Sequence, residues 1–424
     1  MQSIAVIGGG ITGVTTAYAL AKRGFSVTLF ERQRYAAMET SFANGGQLSA
    51  SNAEVWNHWS TVWKGMKWML RSDAPLLVNP RPGWHKLSWF AEFVGHIGRY
   101  RHNTVETARL AIAAREHLYH WARVEGIDFD LRHEGILHIY RDRAGFDHAA
   151  KVSTLLAEGG LARRAVTPEE MHAIEPTLAG RYHGGFFTES DSTGDIHKFT
   201  HGLAAAAERL GVRILYGQAV THLASDGKSA EVTVAPNPAD GTMEAVHRFD
   251  ALVVCAGVGS RDFAAQLGDR VNVYPVKGYS ITVNLLDAAS QAGAPTVSLL
   301  DDETKLVTSR LGVDRFRVAG TAEFNGVNRD IRADRIRPLV EWVNQCFPGV
   351  NTRQVVPWAG LRPMLPNLMP RVGHGRRANV FYNTGHGHLG WTLSAATAEI
   401  VAEQLRQARD AGGAPQVPVA AALA

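Results

Sequence analysis

The segment Gly8-Gly9-Gly10-Ile11-Thr12-Gly13 fits the spacing G-x-G-x-x-G. Between a strand and a helix, that spacing has a physical use. Gly8 permits the tight turn, Gly10 lets a diphosphate approach the backbone, and Gly13 lets the helix pack close to the strand. The helix N-terminus then offers unpaired N–H groups and a partial positive charge to the phosphates. Glu31 stands 18 residues after Gly13 (31 − 13), where a carboxylate can accept hydrogen bonds from ribose hydroxyls. The chemistry implied is dinucleotide binding. The alternative, a glycine-rich turn without a ligand, is disfavoured because glycines at a helix start cost stability.

The elements needed to position these residues are legible around them. Ile4-Ala5-Val6-Ile7 is a short apolar run that reads as a buried parallel strand. Apolar spacing then predicts a helix over Ile11 to Arg23, stopped at Gly24. Val27 to Phe30 is a second strand. Farther along, a helix is expected over Val105 to Val124, strand-like alternation over Phe129 to Tyr140, a helix over Lys198 to Leu210 and a strand over Arg213 to Tyr216. Ala251 to Cys255 reads as another buried strand, Val276 to Val283 and Phe316 to Gly320 as antiparallel strands of a second sheet, and Val380 to Asn383 as a strand leading into a helix to about Arg409. Glycine loops follow strands at Ala256-Gly257 and Gly385-His386-Gly387. A βαβ unit alone does not separate FAD from NAD. Such scattered glycine loops favour FAD, which is long and is commonly enclosed by distant segments.

Composition sets outer bounds. The chain has 424 residues, 45% of them apolar, and 44 basic against 40 acidic side chains. That length predicts two domains, and the small basic excess does not indicate nucleic acid. Cys255 and Cys346 are the two cysteines. Neither lies in a zinc or C-x-x-C pattern, so neither a disulfide framework nor a metal site is expected, and a reducing compartment suits the chain. No secretory signal is expected, since Ser3 to Gly10 already reads as strand and loop. No run of about 18 apolar residues is present to cross a bilayer. A cytoplasmic location is the expectation.

Several motifs go beyond the glycine loop: Glu39-Thr40-Ser41-Phe42-Ala43-Asn44-Gly45-Gly46-Gln47-Leu48-Ser49; more loosely, Lys64-Gly65-Met66-Lys67-Trp68-Met69 with Ala74-Pro75-Leu76; Tyr274-Pro275-Val276-Lys277-Gly278-Tyr279-Ser280; Trp358-Ala359-Gly360-Leu361-Arg362-Pro363-Met364; and Asn383-Thr384-Gly385-His386-Gly387-His388-Leu389-Gly390-Trp391-Thr392. In this order, and from Ile4 to about Arg409, the sequence resembles the D-amino acid oxidase superfamily of flavoproteins, and within it the bacterial D-amino acid dehydrogenases.

The resemblance implies an α/β fold: a Rossmann-like FAD-binding domain with a mixed-sheet α+β substrate domain. The expected FAD-binding domain is discontinuous (1–55, 160–265 and 355–410), the substrate or cap domain covers 56–159 and 266–354, and 411–424 is a disordered tail. FAD is expected to be non-covalent; related sarcosine oxidases attach flavin through a C-terminal cysteine, and no cysteine follows Cys346 here. Cofactor contacts are expected from Gly8, Gly9, Gly10, Ile11, Thr12 and Gly13; from Glu31 and Arg32; from Thr40, Ser41, Gly45, Gly46 and Gln47; from Val220, Ala256 and Gly257; and from Gly385, Gly387, His388, Leu389 and Gly390. The activity implied is oxidative deamination of D-alanine-like amino acids to 2-oxo acids and ammonium, with electrons passed to a quinone or other respiratory-chain carrier.

Arg362 is the expected substrate-carboxylate group, because a guanidinium fork grips a planar carboxylate in two places; a domain-interface ion pair is the alternative. His388 stands where relatives carry arginine or a small polar residue. It is a candidate for substrate contact or catalysis, or a plain flavin-side residue. Lys277 and Tyr279 share one strand face; if that face meets the flavin, Lys277 is a catalytic candidate and Tyr279 binds substrate, and otherwise Lys277 caps an edge and Tyr279 is core. Thr304 and Lys305 fall where relatives place a substrate-facing tyrosine, which is absent here; Lys305 is taken as a substrate-side residue. His58 and His85 are left as structural.

Trp56, Trp59, Trp63, Trp68, Trp84 and Trp89 crowd one stretch, and residues 56–110 hold eight Lys/Arg (64, 67, 71, 81, 86, 99, 101, 109) against three acids (73, 92, 106). Aromatic and basic residues together suit a membrane–water interface, at the cytoplasmic face of the inner membrane in such dehydrogenases; an ordinary lid is the alternative. Rival functions are a D-hydroxyproline, sarcosine or glycine-type dehydrogenase or oxidase, and a flavin subunit that needs a partner. An NAD-dependent dehydrogenase is more distant.

Overall fold

A computed structural model describes residues 2–68, 75–236 and 243–411. The tail from 412 and residues 69–74, part of one quoted motif, lie outside the described residues.

The apolar N-terminal run forms β1 (Ser3–Ile7), followed by α1 (Ile11–Ala21) and β2 (Ser26–Glu31). β1 lies parallel to β2 and to the strand Ala251–Val254. Val380–Thr384 adds on beyond 251–254, and Arg213–Tyr216 beyond β2. An antiparallel edge strand, Arg371–His374, completes a six-stranded sheet. Its strands are continuous apolar runs because both faces are covered. α1 is buried on almost every side, against that sheet and the long helix Gly390–Asp410. A three-stranded antiparallel meander (Val220–Ser225, Ala230–Val234, Ala245–Phe249) packs on the other face.

The second sheet has nine strands. Tyr274–Asn284 lies next to its edge strand Val355–Met364 and is antiparallel to both that strand and Arg315–Phe324. The expected strand over Phe129–Tyr140 is shorter: only Ile136–Tyr140 is extended in the sheet. Gly135, at φ +72°, turns the chain just before it. The helices expected at 105–124 and 198–210 are present as Tyr100–Glu125 and Ile196–Arg209. Arg164–Val166, Gly184–Thr188 and Val355–Met364 all pair within the nine-stranded sheet, although they fall in segments expected for the FAD domain. Two helices, α2 (Trp59–Trp68) and α3 (Trp84–Gly95), precede the long helix. No described helix is long and apolar enough to cross a membrane.

Candidate functional site

A cavity of about 1360 Å³ has walls drawn from both sheets. Typical small-molecule pockets hold about 300–1,000 Å³, so this one has room for a dinucleotide and a second, small molecule. The glycine loop sits at one end. Gly8 has φ +107°, and an added Cβ there would lie 2.8 Å from the Cys255 carbonyl oxygen. At Gly13 a Cβ would lie 1.8 Å from the Gly8 carbonyl oxygen, so α1 approaches the loop as closely as backbone allows. At Gly10 a Cβ would meet only Ser41 Oγ, at 3.5 Å, because that face opens into the cavity. The Ile11 N–H, first of the helix, donates to Ser41 Oγ at 3.0 Å. Glu31 is buried at the end of β2, and its carboxylate accepts from the N–H groups of Gly9 (2.6 Å) and Gln33 (2.7 Å). Burial pushes its pKa upward against those two bonds.

The other expected cofactor residues converge on the same wall: Ile11, Thr12, Arg32, Thr40, Ser41, Gly45, Gly46, Gln47, Val220, Ala256, Gly257, Gly385, Gly387, His388, Leu389 and Gly390. Gly13 is off the wall and acts beneath it. Arg32 is paired with Glu39, and Thr40 Oγ1 donates to the Leu361 carbonyl. Gln47 Nε2 donates to Ser298 Oγ (2.7 Å) and the Leu299 carbonyl (2.9 Å), while its buried Oε1 has no partner among the described residues. Gly385 (φ +78°) and Gly387 (φ +59°) bend the chain so that the helix Gly390–Asp410 starts on the wall. The open glycine face, the helix start and the orphaned amide oxygen fit an extended polar cofactor.

Arg362 also lines the cavity, on Val355–Met364 beside Gly278. An added Cβ at Gly278 would fall 2.3 Å from the guanidinium carbon, so the missing side chain is what makes room for it. Nη1 donates to the Thr321 carbonyl at 2.7 Å, and Nη2 reaches the Gly320 carbonyl at 3.4 Å. Among the described residues no carboxylate pairs with it, and burial alone pushes its pKa down to about 10. A buried cation held by two carbonyls is incomplete until an anion arrives.

His388 is close enough to feel that charge. Its ring stacks on Trp56 (centroids 4.7 Å apart) and bonds to the Asn52 backbone, and its buried Nε2 has no partner among the described residues. Burial and the Arg362 charge push its pKa down to about 4. It is therefore a neutral imidazole with one nitrogen free to accept.

The structure separates the remaining candidates. Lys277 is not on the cavity wall. It is fully buried, with Nζ bonded to Asn328 Oδ1 (2.6 Å) and the Asp330 carbonyl (3.1 Å), and 3.4 Å from Glu323. Tyr279 touches the wall, but its hydroxyl donates to Glu323 Oε2 at 2.7 Å. The strand turns Gly278 and Ser280 to the cavity, so the Lys277 and Tyr279 side chains belong mainly to a buried charged cluster behind it. Lys305 is on the wall, at φ +56°, with Nζ paired to Asp302. His58 also reaches the wall, against its structural assignment.

Some wall residues carry no motif. Asn52, Glu54, Trp56 and His58 face the cavity in alternation, while Ala53, Val55 and Asn57 are buried behind them. That period of two was the available signal. An apolar branch lined by Leu76, Val78, Trp89, Phe90 and Phe93 was not anticipated either.

The buried histidines make stability pH-dependent. His386 (to about 3) and His388 (to about 4) are both depressed from 6.5 by burial. Between those values the unfolded chain binds protons that the folded chain refuses. Stability is therefore full above about pH 6.5 and falls as pH drops towards 4. The urea midpoint is expected to fall between about pH 7 and pH 5, and His386→Asn to flatten that fall. An unchanged slope in the variant would show that His386 does not titrate this way.

The family model described as FAD dependent oxidoreductase (DAO) matches residues 3–404. The chain is 64% identical to "D-amino acid dehydrogenase 3" of Mesorhizobium japonicum over 402 residues, covering 95% of this chain and 96% of that protein. It is 41% identical to a D-amino acid dehydrogenase of Dechloromonas aromatica, covering 95% and 96%. Among solved structures, glycine oxidase from Geobacillus kaustophilus superposes with a TM-score of 0.71 at 21% identity, covering 96% of this chain and 95% of that one. L-proline dehydrogenase from P. horikoshii gives 0.72 at 17%, covering 99% and 95%. The fold, the dinucleotide loop and these likenesses agree: the chain belongs to the DAO family of FAD-dependent oxidoreductases.

Proposed function

We propose that this enzyme is a D-amino acid dehydrogenase, converting a D-amino acid and water to a 2-oxo acid and ammonium. The observation that carries the reading is Arg362, a buried guanidinium without a carboxylate partner on the wall of a dinucleotide-sized cavity. The names and identities of the relatives support the D configuration. The glycine loop, Glu31 and the segments at 39–47, 256–257 and 385–390 would hold FAD. When bound, FAD supplies the acceptor for the hydride leaving the substrate Cα.

The chain's own groups do the positioning. Arg362 binds the substrate carboxylate in a site remote from bulk water, where such a pair is strong. His388 Nε2, beside Arg362, accepts a hydrogen bond from the substrate amine, which must be neutral to release hydride. Its low pKa keeps it available as an acceptor at neutral pH. The start of the helix Gly390–Asp410 favours negative charge at this end of the cavity.

The apolar branch supports a quinone-like acceptor drawn from a membrane. Near it, α2 and α3 expose Trp59 (55%), Trp63 (63%) and Trp84 (82%). Lys86, counted among the basic residues of this stretch, instead caps backbone carbonyls of Asn79 and Arg81 from a buried position. Replacing Trp59, Trp63 and Trp84 together with serine is expected to weaken binding to phospholipid vesicles at least about tenfold. Unchanged co-sedimentation would sink the membrane contact.

The test of the reaction is anaerobic mixing of the FAD-loaded enzyme with paired D- and L-amino acids, sarcosine and D-hydroxyproline. Bleaching of the flavin by D-alanine or D-methionine and not by the L forms is expected. Bleaching by the cyclic or N-methyl amines alone would move the enzyme to a different substrate class.

A further inference from the structure

Glu54 is the one residue of the alternating wall segment whose charge has no task in the reading above. Tyr100 donates to its Oε1 at 2.6 Å, and His148 Nε2 lies 3.2 Å from the same oxygen. Both contacts, with Lys305 nearby, hold its pKa below the usual carboxylate range despite burial. The second oxygen, Oε2, has no hydrogen-bond partner among the described residues, and the side chain faces the cavity. One oxygen is thus anchored and the other offered.

The placement is specific. Glu54 lies between Asn52, whose backbone bonds to His388, and Trp56, whose ring stacks on it. Lys305 is paired with Asp302 on the same wall. With Lys305 and His148 both near it, Glu54 still keeps one carboxylate oxygen that neither Tyr100 nor His148 engages.

We infer that Glu54 is a specificity-determining residue that binds a second cationic group, on the side chain of the substrate, so that the enzyme favours basic D-amino acids such as D-lysine or D-ornithine over neutral ones of equal length. The inference rests on the D-amino acid reading and narrows it. Arg362 takes the carboxylate, His388 meets the α-amine, and the side chain runs along the Trp56 ring to Glu54. A neutral side chain of the same length would leave the ionised Oε2 without a partner, and sites built around such a group discriminate strongly.

The experiment compares D-lysine with D-norleucine, which matches its carbon chain without the ammonium, in kcat/KM with the FAD-loaded enzyme and an artificial acceptor. A preference for D-lysine of about 10- to 100-fold is expected. Glu54→Gln, close in shape, is expected to lower the D-lysine to D-norleucine ratio by a similar factor, chiefly through KM for D-lysine. Equal use of both substrates by the unaltered enzyme, or a ratio unmoved in the variant, overturns the role of Glu54. The unaltered enzyme carries the first comparison by itself, so poor folding of the variant would not rescue the idea. If no D-amino acid reduces the flavin, the underlying reading has failed. If D-norleucine reduces it and D-lysine does so no better, only the role of Glu54 has.

Discussion

Replacing Arg362 with methionine is expected to cut kcat/KM for D-amino acids by about 30- to 4,000-fold while FAD stays bound. The range follows from about 2–5 kcal/mol for truncating one partner of a buried, hydrogen-bonded charge pair, at about 1.4 kcal/mol per factor of ten. The loss should fall mostly on KM, since the carboxylate is bound in both ground and transition states. Arg362→Lys should be only partly better, because a point charge cannot reproduce the fork held by the Thr321 and Gly320 carbonyls. A second readout separates binding from structure. In the free enzyme the guanidinium is a buried charge without a carboxylate partner among the described residues, so removing it relieves a desolvation cost. The methionine variant should melt no lower than the parent. A lower melting temperature with KM unchanged would make Arg362 a structural clamp.

The second large effect is expected at a residue that touches no ligand. Gly13→Ala puts a methyl group 1.8 Å from the Gly8 carbonyl oxygen, against backbone that cannot swing away. Either α1 lifts off the loop or the loop opens. Both displace the Ile11 N–H and the open Gly10 face together. A loss of about 3 kcal/mol or more in stability is expected, with purification of a colourless protein. Gly98→Ala is the control, since an added Cβ there meets nothing within 4 Å. A yellow, stable Gly13→Ala protein would mean that the helix can shift without disturbing the cofactor.

What the sequence made legible, and what it hid, follows from the kind of constraint. The loop at Gly8 to Gly13 was readable because each glycine answers a local backbone demand, and φ +107° at Gly8 is such a demand. Arg362 was readable because its chemistry is scarce and its neighbours are stiff. Lys277 and Tyr279 were ambiguous for the opposite reason. Alternation shows which residues share a face but not which face meets the cavity. The clue was Gly278 between them, small because the Arg362 guanidinium lies where its side chain would be. The strand expected from Phe129 was cut short by Gly135 at φ +72°, a turn that alternation around a glycine conceals. Glu54 carries no motif. Only its alternation with Ala53 and Val55 hinted that it faced inward, and its partners Tyr100 and His148 lie on helices far along the chain.

The six-stranded sheet takes strands from Ser3–Ile7 early in the chain and Val380–Thr384 late in it. The wall of the cavity does the same, from Ile7 to Thr392. This has a consequence for biosynthesis. At about 5–20 residues per second, a ribosome needs roughly 20–80 s between making the glycine loop and making the segment that closes the site. Throughout that interval α1 lacks the long helix that covers it, and β1 lacks its partner at Ala251–Val254 until late. FAD thus has no finished place to bind on the nascent chain, and its capture is a step of maturation after release. Flavin shortage in a cell should therefore accumulate full-length apoprotein, a reserve that added flavin can convert to active enzyme without new translation.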